Sequence, residues 1–277
     1  MSAWFNGKLM PKNNVRIDPL DRGFMYGDGV FESLRTYNGR PFMLDEHLKR
    51  LYKATKLLHI KALDLKSAVL RTLKADGHKE SYIKIMITRG VAAGHGLDPK
   101  NVISKPTILI TADKLKGYPP ATYLKGWSAI ITDIKRGDTL ANTKTLNYAN
   151  NILAKFEASE RNASEAIMLT CDGFLAEGTV SNLFFVKHGI LYTPSLKSGI
   201  LNGITRALAI KLAKKSKIEV IEGYFGKEKL YSADECFITF SGGGIVPIVK
   251  VDNKKIGNGR PGMVTGRLME AYEKITV

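Results

Sequence analysis

The alternation of apolar and polar residues predicts strands and helices mixed along the whole chain. An Asn-Gly dipeptide at 38–39 lies between two extended runs, Val30–Tyr37 and Arg40–Leu44. Both of its positions favour positive φ, which is typical of a two-residue hairpin turn. Asp45 then stands where a helix with leucines on one face would begin. The pattern therefore predicts a hairpin followed by a helix.

A stretch with two adjacent prolines, residues 115–126, divides this pattern into two parts. Proline interrupts helices and strand ladders, so we interpret the stretch as an interdomain linker. Residues 1–114 would form a small N-terminal α/β domain and residues 127–277 a large C-terminal domain. Strands mixed with helices in both parts predict the α+β class. The predicted helices are 45–59, 67–75, 146–161, 205–215 and 261–274, and the predicted strands beyond the hairpin are 81–88, 107–111, 128–134, 165–170, 173–177, 182–187, 219–222 and 235–240.

The composition is that of a globular protein in a reducing compartment. Of 277 residues, 44% are hydrophobic and 25% are charged, which suffices for a core. The N-terminus lacks a signal-peptide profile, and no apolar run approaches the roughly 18 residues of a membrane span. Cys171 and Cys236 are too few for a disulfide framework or a cysteine metal cluster. We therefore expect a cytoplasmic protein that does not enter a membrane.

The formal net charge of +16 raises a different class of function, nucleic-acid binding. The basic residues are spread along the chain, however, and aromatic residues are not interleaved with them in a stacking pattern. We interpret the excess as a lysine-rich solvated surface, or as one that attracts anionic metabolites. A nucleic-acid-binding protein built on an enzyme scaffold is the alternative that is not an enzyme.

Lys144 is the only charged residue between Thr139 and Ala154, where hydroxyl and amide side chains surround it in sequence. Desolvation of a lysine favours its neutral amine, and only a neutral amine attacks a carbonyl to form a Schiff base. Composition alone favours an ordinary surface lysine at the end of a loop. Lys144 is nevertheless the first candidate for covalent chemistry.

Glu177 is likewise the only charged residue between Gly173 and Val186, among strand-like runs. A carboxylate in that setting is expected to be buried, and a buried carboxylate needs a partner. Two partners fit equally well. One is a cationic side chain in a structural ion pair, and the other is the protonated pyridine nitrogen of a cofactor.

Two glycine-containing segments are candidate anion sites. Residues 202–206 place a glycine turn directly before a helix, whose free N–H groups and dipole attract anions. Residues 241–244 follow a predicted strand and offer a hydroxyl and unhindered amides. Neither has the Gly-Lys-Ser/Thr ending of a Walker loop, and an ordinary helix start and a flexible loop account for them equally. The five histidines show no metal-ligand spacing, so no metal site is predicted.

Five motifs, in order along nearly the whole chain, resemble those of the fold-type IV pyridoxal-phosphate enzymes. That group includes branched-chain aminotransferases, D-amino-acid aminotransferases and aminodeoxychorismate lyases. Each motif is weak alone, whereas the set in this order is specific. The motifs are residues 21–32 (DRGFMYGDGVFE), 46–51 (EHLKRL), 144–148 (KTLNY), 177–178 with 181–184 (EG and SNLF), and 201–206 (LNGITR).

The resemblance implies a role for each matching residue. Lys144 would hold pyridoxal 5'-phosphate as a Schiff base and carry the proton between substrate and cofactor carbons. Glu177 would hold the proton of the pyridine nitrogen. The other implied cofactor contacts are Tyr148 at the ring hydroxyl, Leu201 on a ring face, and Arg50, Ile204, Thr205 and Ser241 at the phosphate.

The resemblance also implies an architecture and a reaction. The fold would be two α/β domains with the cofactor in the interdomain cleft, in a homodimer or a multiple of dimers. The reaction would be ping-pong transfer of an amino group from an amino acid to a 2-oxo acid. Neither a membrane nor a nucleic acid is an expected partner.

The substrate prediction rests on positions that line the substrate pocket in branched-chain aminotransferases. Tyr26, Phe31 and Tyr82 match those positions. Lys84 stands where that subgroup has an arginine, and a lysine cannot reproduce its bidentate fork. Gly242 lies in a glycine run that replaces the subgroup's Thr-Ala-Ala-Glu loop. We predict an L-branched-chain amino acid:2-oxoglutarate aminotransferase first, a D-amino-acid aminotransferase second and an aminodeoxychorismate lyase third.

Overall fold

The computed structural model describes residues 2–136 and 140–276, and the chain divides into two compact units. The N-terminal unit comprises Met1–Lys116 together with Thr143–Asn147, and the C-terminal unit comprises Gly117–Asn142 and Tyr148–Val277. The boundary after Lys116 falls inside the stretch that we interpreted as a linker. The short segment around Lys144 belongs to the N-terminal unit, whereas the sequence placed it in the second domain.

The N-terminal unit is built on one antiparallel sheet. Its elements in chain order are β1 (Ser2–Phe5), β2 (Lys8–Pro11), α1 (Arg22–Tyr26), β3 (Gly29–Tyr37), β4 (Arg40–Pro41), α2 (Leu44–Leu57), α3 (Lys66–Asp76), β5 (Ser81–Thr88) and β6 (Ile108–Lys114). Among the described residues these six strands pair in the order β2-β1-β6-β5-β3-β4, each pair antiparallel. Short 3-10 turns occur at Lys12–Asn14 and Pro99–Asn101.

The two faces of this sheet differ because successive side chains of a strand point in opposite directions. The odd positions of β5 are fully buried, and three of them, Ile83, Ile85 and Ile87, form the core together with Leu48 and Leu51 of α2. The even positions of β5 are only half-buried. The core therefore occupies one face and leaves the other accessible to polar side chains.

The predicted hairpin is confirmed at its turn and corrected in its second strand. Asn38 and Gly39 have φ values of 50° and 79°. β4 ends at Pro41, because α2 begins three residues later, at Leu44. Asp45 does not cap that helix as predicted, since it lies inside the first turn and pairs with Lys66 at 2.7 Å.

The C-terminal unit contains the larger sheet. Its elements are α4 (Pro120–Lys125), β7 (Trp127–Lys135), α5 (Ala149–Glu160), β8 (Glu165–Leu169), β9 (Leu175–Gly178), β10 (Asn182–Lys187), β11 (Ile190–Pro194), α6 (Ile204–Lys215), β12 (Val220–Gly223), α7 (Lys227–Tyr231), β13 (Glu235–Phe240), β14 (Gly244–Val251), β15 (Lys254–Lys255) and α8 (Met263–Glu273). The described strands form one nine-stranded mixed sheet in the order β12-β11-β10-β13-β14-β7-β8-β9, with β15 on β14. A 3-10 turn lies at Leu196–Ser198.

This sheet also closes on itself. Besides its pairing with β8, β9 pairs with β10 through Glu177 and Asn182. A continuous path of paired strands therefore runs from β10 through β13, β14, β7, β8 and β9 back to β10. All of β9 is buried, so Glu177 lies at the seam of a closed sheet.

The starts of α4 and α5 differ from the sequence prediction for identifiable reasons. Pro120 is the first residue of α4, so half of the predicted linker is helical. Proline is favoured at a first helical position, where no N–H donor is needed. The helix predicted from residue 146 begins instead at Ala149, because Leu146 forms a backbone hydrogen bond to Gly29 of β3.

β14 was not among the predicted strands, and it contains Pro247, which lacks the N–H that donates in a strand ladder. Pro247 lies opposite Phe237 of β13, whereas the pairing of β14 with β7 begins only at Ile248. The missing donor therefore falls outside the β7 ladder. A proline signal that normally argues against a central strand is overridden by where the neighbouring strand starts.

Three further properties concern residues 2–136 and 140–276. No helix in these ranges has both the length and the apolar character needed to cross a bilayer. The same ranges contain no group of three or more His, Cys, Asp or Glu side chains placed to hold a metal ion. Cys171 and Cys236 form no disulfide among the described residues; Cys171 is exposed and Cys236 is buried.

Candidate active site

The backbone around Lys144 is held along the edge of β3. The Phe31 amide donates to the Lys144 carbonyl at 3.0 Å, and the Leu146 amide donates to the Gly29 carbonyl at 3.0 Å. A side chain on Gly29 would collide with Leu146, so glycine permits the close approach. Thr145, between the two hydrogen bonds, is buried. A segment outside the strands therefore has a defined position.

The amine of Lys144 lies against an aromatic ring and near a second amine. Lys144 Nζ is 4.3 Å from the centre of the Phe31 ring, and Lys84 Nζ is 5.1 Å from the same centre. Burial, together with the charge of Lys144, lowers the pKa of Lys84. A negatively charged ligand that entered here would meet two cationic groups at once.

Strand register explains why these predicted residues meet. Lys84 lies opposite Ser33, and Tyr82 lies opposite Arg35, on the strand pair β3–β5. Phe31, Tyr82 and Lys84 therefore project from the same face of the sheet.

Tyr26 is not part of this strand pair, and its hydroxyl accepts a hydrogen bond at 3.1 Å from the amide of Gly96.

Arg50 of α2 belongs to a largely buried network of charged side chains. Its guanidinium makes two hydrogen bonds to Glu32, at 2.6 and 2.9 Å, and His47 Nδ1 lies 2.8 Å from the same carboxylate. Burial by itself would raise the pKa of Glu32, but Arg50 and His47 lower it to about 2. Glu32 follows Phe31 directly, so its side chain lies on the opposite face, which α2 covers. The phosphate role of Arg50 stays a prediction.

Glu177 has partners on both oxygens of its carboxylate. Oε2 accepts hydrogen bonds from Asn182 Nδ2 and from the Leu201 amide, both at 3.0 Å. Oε1 lies 2.9 Å from Nε of Arg136. The structural ion pair considered for Glu177 is therefore present, alongside donors that are neutral.

Arg136 and Asn182 were missed as functional residues. Asn182 stands inside the matched 181–184 motif, so the sequence contained a signal for it. Arg136 stands 41 positions before Glu177 and carries no motif. Only the pairing of β7 with β8, and of β8 with β9, brings it to the carboxylate.

The predicted phosphate residues Ile204 and Thr205 are the first two residues of α6. Within the described residues no side chain caps this helix, so its first N–H groups are available to an anion. A side chain on Gly203 would collide with Asn182, which requires glycine before the helix. Leu201, just upstream, holds both Glu177 through its amide and Asn182 through its carbonyl.

The other predicted residues of this unit lie at the ends of elements. Ser241 and Gly242 directly follow β13, and both are half-buried. The carbonyl of the next residue, Gly243, accepts a hydrogen bond from the Tyr123 hydroxyl at 3.0 Å. Tyr148 immediately precedes α5, and its carbonyl accepts a hydrogen bond at 2.9 Å from the amide of Ile152 in the first turn of that helix.

Buried polar atoms without a hydrogen-bond partner can indicate where a polar ligand such as pyridoxal phosphate would bind. Among the described residues such atoms all belong to the C-terminal unit; they are Arg136 Nε, Asn151 Oδ1, Ser198 Oγ, Arg206 Nε and Thr239 Oγ1. Each belongs to a residue within three positions of a predicted cofactor residue, or, for Arg136, in contact with Glu177. Unpaired buried polar atoms are costly, and a polar ligand or its bound water would pair them. The residues of this unit fit the group.

Comparisons with known proteins agree with this chemistry. The family model of class IV amino-transferases matches residues 29–251. A putative branched-chain-amino-acid aminotransferase of Methanocaldococcus jannaschii is 40% identical, over 99% of this chain and 96% of its own length. A D-alanine aminotransferase of Bacillus licheniformis is 34% identical, over 99% and 96%. The T.th. branched-chain amino acid aminotransferase, solved with pyridoxamine 5'-phosphate, superposes with a TM-score of 0.93 at 31% identity, over 99% of this chain and 93% of that chain.

These findings confirm three predictions made from the sequence. The family was identified from five short motifs, and the matched region contains them except for the first part of residues 21–32. The α+β architecture with two units is confirmed, as is the prediction of an enzyme that uses pyridoxal phosphate. This chain belongs to the class IV aminotransferases.

Proposed function

We propose that this enzyme transfers the amino group of branched-chain L-amino acids to 2-oxoglutarate, with the cofactor attached to Lys144. The observation that carries the proposal is the Lys144 amine, held by backbone pairing against Phe31 and beside Lys84. When bound, pyridoxal phosphate supplies an aldehyde that condenses with amines and a ring that withdraws electrons. The similarity to branched-chain aminotransferases over almost the entire chain supports the substrate class.

The predicted cofactor residues would then have the following roles. Lys144 binds covalently and afterwards moves the substrate proton. Glu177 holds the proton of the ring nitrogen, and Leu201 packs on the ring while its amide orients that carboxylate. The residues assigned to the phosphate and the ring hydroxyl are Arg50, Ile204, Thr205, Ser241 and Tyr148.

The proposed substrate pocket combines aromatic ring surfaces with a cationic group. Phe31 and Tyr82 present ring surface from one sheet face, which suits an apolar side chain. Lys84, on that face, supplies a cation for a carboxylate, and Gly242 supplies an unhindered amide. Tyr26 would line the pocket through its ring, because its hydroxyl is bonded to Gly96.

The proposed enzyme is a homodimer, and one helix supplies supporting evidence. On α5, Asn151 and Ala154 are buried, whereas Ile152, Leu153 and Phe156 are more than half exposed. Adjacent exposed apolar residues of this size are typical of a surface covered by a partner. Sedimentation should show a dimer, and Phe156→Lys should shift it toward a monomer. We propose a cytoplasmic location, which is consistent with a chain that has only two cysteines.

A reductive trap tests the covalent assignment. Borohydride reduction of the holoenzyme followed by peptide mass spectrometry should find the pyridoxyl group on Lys144. Lys144→Ala should lose both the yellow colour and turnover, whereas Lys84→Ala should keep the adduct at Lys144. An adduct on Lys84 in the wild type, or none at all, would overturn the assignment.

A panel of amino donors separates the related activities. L-Valine, D-alanine, (R)-phenylethylamine and aminodeoxychorismate are offered with 2-oxoglutarate or pyruvate as acceptor. We expect the highest kcat/KM with L-valine and 2-oxoglutarate. A preference for D-alanine would establish the D-amino-acid activity instead, and pyruvate release from aminodeoxychorismate without an acceptor would establish the lyase.

A further inference from the structure

We propose that Arg136 is a positioning residue that keeps the carboxylate of Glu177 ionised, so that the ring nitrogen of the cofactor retains its proton. The inference rests on the proposed function, because it assumes that Glu177 faces that nitrogen. Arg136 belongs to none of the motifs by which the family resemblance was identified. Its role follows from contacts within the C-terminal unit.

Arg136 is held in place from several sides. It directly follows β7, and its amide donates to the Leu169 carbonyl at 2.7 Å. One guanidinium nitrogen donates to the Ala141 carbonyl. Nε lies 2.9 Å from Glu177 Oε1, with side chains only 13% and 6% exposed. A cation fixed this firmly in a poorly solvated setting acts strongly on the charge it touches.

The two oxygens of Glu177 have different kinds of partner. Asn182 and the Leu201 amide are neutral donors to Oε2, and they fix the direction of the carboxylate. Arg136 approaches Oε1 with a full charge. A nearby cation favours the ionised form of a carboxylate, whereas burial alone favours the neutral form. Orientation and ionisation therefore have separate sources.

A neighbouring carboxylate shows that burial at this place does not require a cation. Glu165 of β8 is 1% exposed, and its hydrogen bonds among the described residues come from neutral groups. Thr179 Oγ1 and Ser181 Oγ donate to it at 2.6 and 2.8 Å, and the Thr179 amide donates at 3.1 Å. Since Glu165 is accommodated without an arginine, a purely structural reason for Arg136 is insufficient.

The alignment of the Arg136–Glu177 contact decides which replacement should work. Although Nε is 2.9 Å from Oε1, its N–H does not meet hydrogen-bond geometry, so the interaction is chiefly a charge interaction. A lysine should therefore replace Arg136, because it supplies charge without the guanidinium fork. A glutamine, which can donate a hydrogen bond but carries no charge, should fail.

The experiment compares Arg136→Lys and Arg136→Gln in the holoenzyme, with Arg161→Gln as the matched control. Arg161 lies in the same unit and pairs with Asp252 at the surface, with its side chain 45% exposed. The holoenzymes are loaded with pyridoxal phosphate carrying ¹⁵N in the ring, and the ¹⁵N chemical shift reports protonation of the ring nitrogen. Steady-state kcat and KM are measured in parallel.

We expect Arg136→Gln to retain the covalent adduct at Lys144 but to move the ¹⁵N signal toward a neutral ring. Its kcat should fall by about 10- to 100-fold, the range seen for outer-shell partners of ligating groups, with KM changed less than about threefold. Arg136→Lys and the control should keep the wild-type signal and kcat within about threefold.

Unchanged ¹⁵N signal and kcat in Arg136→Gln would overturn the proposal. Equal losses in Arg136→Lys and Arg136→Gln would overturn it too, because they would show that the shape of arginine matters and its charge does not. If Arg136→Gln fails to fold, loss of the signal in a folded Arg136→Lys variant likewise overturns the proposal, and retention supports it. Absence of any adduct at Lys144 in the wild type would instead defeat the proposed function itself.

Discussion

Glu32 and Glu177 are both buried carboxylates with an arginine partner, yet the two units hold them differently. Arg50 grips Glu32 with two hydrogen bonds, and His47 adds a third contact. Glu177 is oriented by neutral donors, and its arginine supplies charge without an aligned hydrogen bond. The charge of Glu32 is therefore matched by aligned partners within its own unit, whereas Glu177 is oriented by neutral donors and receives its positive charge from a separate source.

Measurements of activity should distinguish the two carboxylates most clearly. Glu177→Gln removes the charge that would hold the ring proton, so kcat should fall by about 10²- to 10⁴-fold, the range typical of a positioned proton-transfer group. The covalent adduct at Lys144 should persist, as shown by mass spectrometry after reduction. Unchanged turnover in this variant would contradict the role given to Glu177, and it would mean that Glu32 and Glu177 do not differ in function.

The two carboxylates should also differ in their contribution to the free energy of unfolding. Glu32→Gln leaves Arg50 buried against an uncharged amide, and breaking a buried pair costs about 3–5 kcal/mol of unfolding free energy. Glu177→Gln should cost less, because its arginine makes no aligned hydrogen bond through Nε that the change could remove. Urea unfolding of both variants measures the difference. Equal losses would mean that the two pairs are energetically alike.

A smaller effect appears as a dependence on pH. The pKa of Glu32 is about 2 in the folded protein and 4.5 in a model peptide. Its ion pairs therefore contribute stability that is fully present above about pH 4.5 and is lost as the pH falls toward 2. The shift corresponds to roughly 3 kcal/mol, since one pKa unit is about 1.4 kcal/mol.

The measurement is the unfolding free energy of wild type and Glu32→Gln between pH 7 and pH 2. The two curves should converge as the pH decreases through this window, because protonated Glu32 resembles the amide. A constant gap between the curves would show that the ion pairs do not set the acid sensitivity of the N-terminal unit.

Local sequence signals predicted the parts of the fold that depend on neighbouring residues. The Asn38-Gly39 turn needs positive φ at both positions, and the structure has it. The alternation along β5 needs only the strand period, and its buried isoleucines follow it. Signals failed where a distant partner intervened, as at Pro247, which is tolerated because of where β7 begins.

The same contrast between local signals and distant contacts applies to the candidate site residues. Lys144 and Glu177 stood out because each is the only charged residue in its stretch and each lies in a motif that resembles the family's. The motif around Arg50 does not indicate that its guanidinium pairs with Glu32, which lies on β3, 18 positions away. Arg136 had no sequence signal at all.

The order of its motifs was enough for the chain alone to determine its family and its cofactor class, and to single out Lys144 as the candidate reactive lysine. Tertiary structure decided what surrounds these groups: which arginine meets which carboxylate, and how the Lys144 segment lies along β3. A motif is read from neighbouring residues, whereas a contact such as that between Arg136 and Glu177, 41 positions apart, forms only because distant strands pair.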